Sequence, residues 1–197
     1  STIETGRGVK VNEYFETSTP DVYSIGDCAE FDRNPDPERR SIEKVWYTGR
    51  IMGETLAKTL TGERSPYRPG VWFNSAKFFD IEYQTYGWVR KELQEGEEHF
   101  YWESPDERAC IKMVWESSSR RLKGINVFGI RFRHEICDNW FRDGVSVDHA
   151  IENFRTANFD PEFYRDHAAD IVAKFNKEHG SNIKVGAKRM ATIFDPS

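Results

Sequence analysis

The residues best suited to chemistry are Gly26-Asp27-Cys28, which close the stretch Thr17-Ser18-Thr19-Pro20-Asp21-Val22-Tyr23-Ser24-Ile25. The apolar run reads as a short strand ending in Gly-Asp, followed by a small residue and a helix. That order would put one carboxylate at the carboxyl end of a strand, where open α/β sheets bind ligands. An ionised carboxylate only accepts hydrogen bonds and can grip a sugar-type hydroxyl. A Gly-Asp without this context would be an ordinary turn cap, so the surroundings of Asp27 decide its meaning.

Two further groups could serve a ligand. A helix is expected from about residue 42, and its first turn would present the backbone N–H groups of Lys44, Val45 and Trp46 together with a partial positive charge. Gly49 and Gly53 in that helix have a G-x-x-x-G spacing that admits another backbone at close range; plain helix-on-sheet packing would use it equally well. The second group is Gly70-Val71-Trp72-Phe73-Asn74-Ser75, followed by Phe79 to Gly87. Trp72 and Phe73 could face a planar ligand, although aromatic strands more often form core.

The remaining patterns are weaker. Asp32, Asn34, Asp36 and Glu43 stand at positions 1, 3, 5 and 12 of a calcium-loop template, but Pro37 occupies the glycine position, so a solvated loop is expected. His134-x-x-Cys137 is half a metal site with no second half. Cys28 has no partner at redox-disulfide spacing and reads as a small packed residue. No Ser/His/Asp order or paired-carboxylate pattern points to a hydrolase, and no metal is expected.

The elements that would position these residues fall into two regions. Residues 7–12 and 21–26 read as short strands, and 32–40 as a charged, Pro-rich loop. Ser41 is the expected N-cap of a helix over about 42–60, with Val45, Met52, Leu56 and Leu60 on one face and Gly62 as the stop. Residues 63–70 read as a linker. Beyond it the period becomes two: 71–73, 79–90, 99–103, 109–116 and 122–131 are expected strands in an antiparallel meander. Three helices follow: His134 to Arg142, one N-capped by Ser146 and ending near Phe154, and one starting at Asp160-Pro161. Phe163, His167, Ile171 and Phe175 form a stripe on the last, and 181–197 are expected to fray. The fold class is therefore α+β, an antiparallel sheet with C-terminal helices, preceded by a partial α/β segment. The domain boundaries are 1–62 and 63–197.

Composition narrows the partners. The 197 residues carry a formal charge of −5 with a pI near 5.6, which argues against a nucleic-acid surface. No run reaches the roughly 18 apolar residues of a membrane span. Three cysteines make no even framework, which favours a reducing, cytoplasmic setting. No dinucleotide fingerprint is present, since Gly6-x-Gly8 has Val11 where a third glycine belongs.

The Thr17–Asp27 stretch resembles the second FAD-binding motif of the pyridine nucleotide-disulfide oxidoreductases, T-x-x-x-x-h-Y-A-h-G-D with h apolar. Thr17, Tyr23, Ile25, Gly26 and Asp27 are in register, and Ser24 replaces the small Ala. Residues 70–87 are similar to the P-W-F-W-S-D-Q…L-Q-x-x-G segment of the ferredoxin-reductase type. Trp72, Phe73, Ser75, Gln84 and Gly87 keep that pattern, while Asn74 replaces the second Trp. The resemblance implies that Asp27 holds the ribityl chain of FAD, with Gly26 and Cys28 beside it. It also implies that the start of the first long helix faces the flavin pyrimidine edge, and that Trp72 or Phe73 lies near the isoalloxazine. On this reading the chain is the C-terminal part of a longer NAD(P)H oxidoreductase. It would pack against the rest of its parent chain, pass electrons to an undetermined acceptor and form a possible homodimer. It would be inactive and colourless alone. An interaction or dimerisation module is the alternative.

Overall fold

The computed structural model describes residues 2–159 and 165–186. The chain forms two compact units, Ser1–Gly70 and Val71–Ser197.

In the first unit, β1 (Val9–Val11) and β2 (Ala29–Phe31) pair in parallel, with Val9 opposite Ala29 and Val11 opposite Phe31. Residues 21–26, expected as a strand, make only an isolated bridge between Tyr23 and Glu16. The backbone of Gly26 is left-handed at φ 75°, which breaks extended geometry. The chain then makes a 3₁₀ turn over Gly26–Cys28, and a strand, not the expected helix, follows it.

The first helix, α1 (Trp46–Leu60), begins four residues later than expected, and Val45, not Ser41, is its N-cap. The delay has an electrostatic cause. The Arg39 side chain is 2% exposed, and its Nη1 lies 3.1 and 3.2 Å from the two oxygens of an equally buried Glu43. Arg39 Nη2 donates to the carbonyls of Pro69 (3.3 Å) and Gly70 (2.9 Å), and Tyr67 Oη donates to Glu43 Oε2 at 3.3 Å. Residues 39–43 are thus committed to a buried clasp before a helix can start. The loop expected to be solvated therefore buries Asn34, Arg39 and Glu43.

The same clasp brings in the stretch read as a linker. Tyr67 is fully buried and stacks on Phe31 at 5.3 Å and 6°, with Phe15 5.3 Å away. Met52 and the partly buried Leu56 supply the helix face of this core, while Leu60, expected on that face, is 64% exposed.

The second unit is an α+β fold, a five-stranded antiparallel sheet with helices. Its strands are β3 (Phe73–Phe78), β4 (Ile81–Gly87), β5 (Glu97–Glu103), β6 (Cys110–Glu116) and β7 (Leu122–Phe128). The order β3-β4-β7-β6-β5 is not a simple meander, because β7 returns to lie beside β4. The chain turns at Phe79-Asp80, inside the stretch expected to be one strand over 79–90. Alternation fixes which face is buried. Phe73, Tyr86, Ile125, Met113 and Phe100 are cross-strand partners in one row over all five strands, and Trp102, Ile111 and Val127 lie in the next. Both rows belong to the main core.

The helices that pack on this core are α2 (His134–Arg142), α3 (Val147–Glu152), α4 (Phe154–Ala157) and α5 (Ala168–His179). Ser146 caps α3 by accepting from His149 N, as its position suggests. The expected start at Asp160-Pro161, and Phe163, lie outside the described residues. His167, Ile171 and Phe175 do form a buried stripe on and just before α5. Residues 181–186 are tied down rather than frayed. Asn176 exchanges two 2.9 Å bonds with the backbone of Ile183, and Gly186 N donates to Glu152 O. The rest of that tail lies outside the described residues. Among the described residues no helix is long and apolar enough to cross a membrane.

Two outcomes follow from these burials. Glu43→Ala removes the buried counter-charge of the Arg39 guanidinium and leaves it only the partly exposed Asp36, so chemical denaturation should show a loss of about 3–5 kcal/mol. His167 packs against Trp102 at 4.9 Å, and burial, assisted by Arg165, holds its imidazole below the usual range, against the opposing pull of Asp106, Asp170 and Asp166. The unfolded chain therefore binds the extra proton more readily, and stability falls as pH drops below about 6.5. Thermal melts from neutral to mildly acidic pH should show that slope, and His167→Gln should flatten it.

Candidate functional site

The first unit brings the expected ligand-binding residues of its own sequence together around one turn. Gly26, Asp27 and Cys28 form the 3₁₀ turn, and the first half of α1 lies directly against it. Gly26 N donates to Met52 Sδ at 3.2 Å. A Cβ added at Gly49 would stand 3.7 Å from Gly26 Cα, and one added at Gly53 would stand 3.8 Å from Ile25 Cδ1. The G-x-x-x-G pair of α1 is the face that receives the turn.

Asp27 is exposed, and among the described residues its carboxylate makes no hydrogen bond or ion pair. It does not end a strand, as the sequence suggested, but sits in the turn between Ile25 and Ala29. A Cβ at Gly26 would meet nothing within 4 Å, so open space lies beside the turn. Cys28 is exposed rather than packed, with its Sγ 3.4 Å from Ile25 O and 3.5 Å from Ser24 Oγ.

Helix α1 has Val45 at its N-cap with no side-chain cap bond, and Trp46 as its first residue. Lys44 precedes the helix and is exposed; Trp46 is 69% exposed. A helix start without a capping side chain leaves its first N–H groups for solvent or a ligand. An acceptor-only carboxylate suits the hydroxyls of a polyhydroxyl chain, and an uncapped helix start suits a negatively charged group.

Trp72 and Phe73 belong to the second unit and have ring partners there. Trp72 stacks on Trp88 at 5.4 Å and 7°. Phe73 lies 4.2 Å from His134 and 5.9 Å from Tyr86. His134 is exposed and packs its ring against Phe73 and Tyr86, and Cys137 is fully buried, its thiol pushed up by desolvation. Among the described residues no cluster of three metal-ligating side chains occurs.

Two groups that sequence reasoning left without a role are prominent. The Arg39–Glu43–Tyr67 clasp joins positions far apart in the sequence and has no local signature. Gln84 was noted only as part of a pattern. It is buried, its Oε1 accepts from Phe132 N at 2.6 Å, and its Nε2 donates to Phe132 O at 3.2 Å. That double bond holds the approach to α2, so this residue of the family pattern has a structural task.

The α+β unit and the turn-on-helix arrangement can be compared with those of known proteins. No family model matches the chain. It is 39% identical over 83 residues to the 5,5'-dehydrodivanillate O-demethylase ferredoxin reductase subunit of Sphingobium sp. (strain NBRC 103272 / SYK-6), covering 42% of this chain and 20% of that protein. It is 38% identical over 65 residues to a nitric oxide reductase FlRd-NAD(+) reductase of Enterobacter sp. (strain 638), covering 33% of this chain and 15% of that one. In fold it is similar to a NAD-dependent persulfide reductase from A. fulgidus, with a TM-score of 0.62 at 20% identity over 90% of this chain and 36% of that chain. A ferredoxin reductase from Rhodopseudomonas palustris gives 0.51 at 20% identity, over 91% and 38%. The chain is thus similar to part of proteins named ferredoxin reductase and NAD(+) reductase, and the matches span a fifth or less of these curated relatives' length.

The Gly49 contact gives a test of the packing. Gly49→Ala adds a methyl at ordinary contact distance and removes a glycine from a helix interior, so it should stabilise by about 0.5–1 kcal/mol. Gly49→Leu drives a side chain into the turn and should cost about 1–3 kcal/mol. Denaturant titration of both variants decides whether the turn rests on this face.

Proposed function

We propose that this chain is the C-terminal part of an FAD-dependent NAD(P)H oxidoreductase and supplies one wall of the flavin site. The observation that carries the reading is Asp27, an exposed carboxylate with no partner among the described residues, set against the start of a helix. Its two oxygens are open to donors from a ligand.

In this reading Asp27 accepts hydrogen bonds from the ribityl hydroxyls, and Gly26 keeps the approach open. Cys28 lies at the edge of the same turn. The first backbone N–H groups of α1, around Val45 and Trp46, stabilise negative charge at the pyrimidine edge of the ring system. When bound, FAD supplies the chemistry that takes hydride from NAD(P)H and passes electrons to an acceptor. The protein contributes position and electrostatics. The relatives whose names include ferredoxin reductase or NAD(+) reductase support this class. Trp72 and Phe73 are not needed for it.

The parent chain would supply the pyrophosphate and nicotinamide sites, so the 197 residues alone should be colourless. A second copy of the chain is not required by the flavin reading.

Asp27→Ala tests the proposal in the intact parent protein. A charge-assisted hydrogen bond is worth about 1.5–3 kcal/mol, so flavin retention should weaken tenfold or more. Because Asp27 holds nothing else, thermal stability of the flavin-free protein should not change. Full flavin content in the variant overturns the assignment.

A further inference from the structure

We propose that the buried Arg39–Glu43 pair sets the electrostatic field at the start of α1 and, through it, the reduction potential of the flavin. Glu43 lowers that potential, and Arg39 offsets most of the effect. The inference rests on the flavin reading above, and both side chains are positioning residues that act through the helix start.

The chain itself puts the pair beside that start. Glu43 stands two residues before the N-cap Val45, and its Cα lies within about 7.6 Å of the Val45 Cα, because consecutive Cα atoms are 3.8 Å apart. Arg39 is four residues further back. The two side chains are each 2% exposed, so water screens their charges far less than charges at the surface. Val45 offers no capping side chain, and no acidic residue lies in the first turn of α1. The helix dipole and this pair therefore dominate the field at the first N–H groups.

A carboxylate works against the task of such a place. Reduced flavin brings negative charge to its pyrimidine edge, a helix start favours that charge, and a buried anion beside it opposes it. Glu43 is balanced by Arg39, whose Nη1 lies 3.1 and 3.2 Å from its two oxygens. Tyr67 donates to Glu43 but adds no charge, since burial and that carboxylate push its phenol up. Asp36 reaches Arg39 at 3.4 Å from a partly exposed position, where solvent screens it. The bonds from Arg39 Nη2 to Pro69 O and Gly70 O hold the cation in place. Stability alone does not call for this ion pair, because well-packed neutral groups often serve a fold equally well. A fixed, unscreened pair at an anion-receiving helix start does tune what binds there.

The midpoint potential of bound flavin in the intact parent protein, read by spectroelectrochemical titration, tests it. Burial pushes the Glu43 carboxyl up, against the pull of Arg39 and Tyr67, so the titration is run at mildly alkaline pH. Glu43→Gln keeps an acceptor for Arg39 and Tyr67 while removing the charge. It should favour reduced flavin about tenfold, which is near 30 mV for a two-electron couple. Arg39→Met/Glu43→Gln leaves no buried charge unmatched, and it keeps the test open if the single variant folds poorly. Its potential should fall between those of Glu43→Gln and the unsubstituted protein. A merely structural role would loosen flavin in both variants without ordering their potentials in this way. An unchanged or lowered potential in Glu43→Gln overturns the proposal, as does a double variant as high as the single one or no higher than the unsubstituted protein. Asp27→Ala separates the two readings. Flavin loss there with no ordered shifts in the other variants overturns this inference alone, whereas full flavin content there overturns the flavin reading itself.

Discussion

A guanidinium taken out of water must find acceptors for its hydrogens and a counter-charge for its ion, and in the first unit Arg39 imposes that condition. Glu43, four residues on, and the backbone carbonyls of residues 69 and 70 accept its hydrogens, and Asp36, 3.4 Å from Nε, adds a second counter-charge. Tyr67 completes the set by donating to Glu43 while its ring fills the aromatic core. One ion thus fixes both ends of a long excursion of the chain and decides where α1 can begin. The helix start is set by this charge balance and not by a capping side chain, which is why Val45 can be an N-cap with nothing to offer.

What could be read from the sequence was what depends on neighbours a few residues apart. A period of two placed the strands over 99–103, 109–116 and 122–131 in an antiparallel arrangement, and a hydroxyl before an apolar turn placed Ser146. Tyr67 was missed because its partners, Phe15 and Phe31, come from far along the chain, and a Pro-rich neighbourhood resembles a linker. The later start of α1 was missed for the same reason. The turn at Phe79 was hidden because the residue that occupies the left-handed position is the wrong type for it.

The ligand-site residues show the same division. The motif around Asp27 is short and dense, so it was recognisable, yet the strand assigned to it is a 3₁₀ turn with the strand afterwards. Gly49 and Gly53 had two possible uses, and the structure shows them receiving the turn. In the second unit, Trp72 and Phe73 have neighbours within their own unit, which is the commoner fate of aromatic strand residues. The candidate surface that remains belongs to the first unit and is built from backbone and one carboxylate.

Gln84 carries a wider lesson about reading signatures. Its carboxamide impersonates a missing residue of an adjacent strand, offering a donor and an acceptor at the spacing of a peptide group. Asparagine is one methylene too short for that reach, and glutamate lacks the two-way polarity. The glutamine at this position is therefore dictated by scaffold joinery.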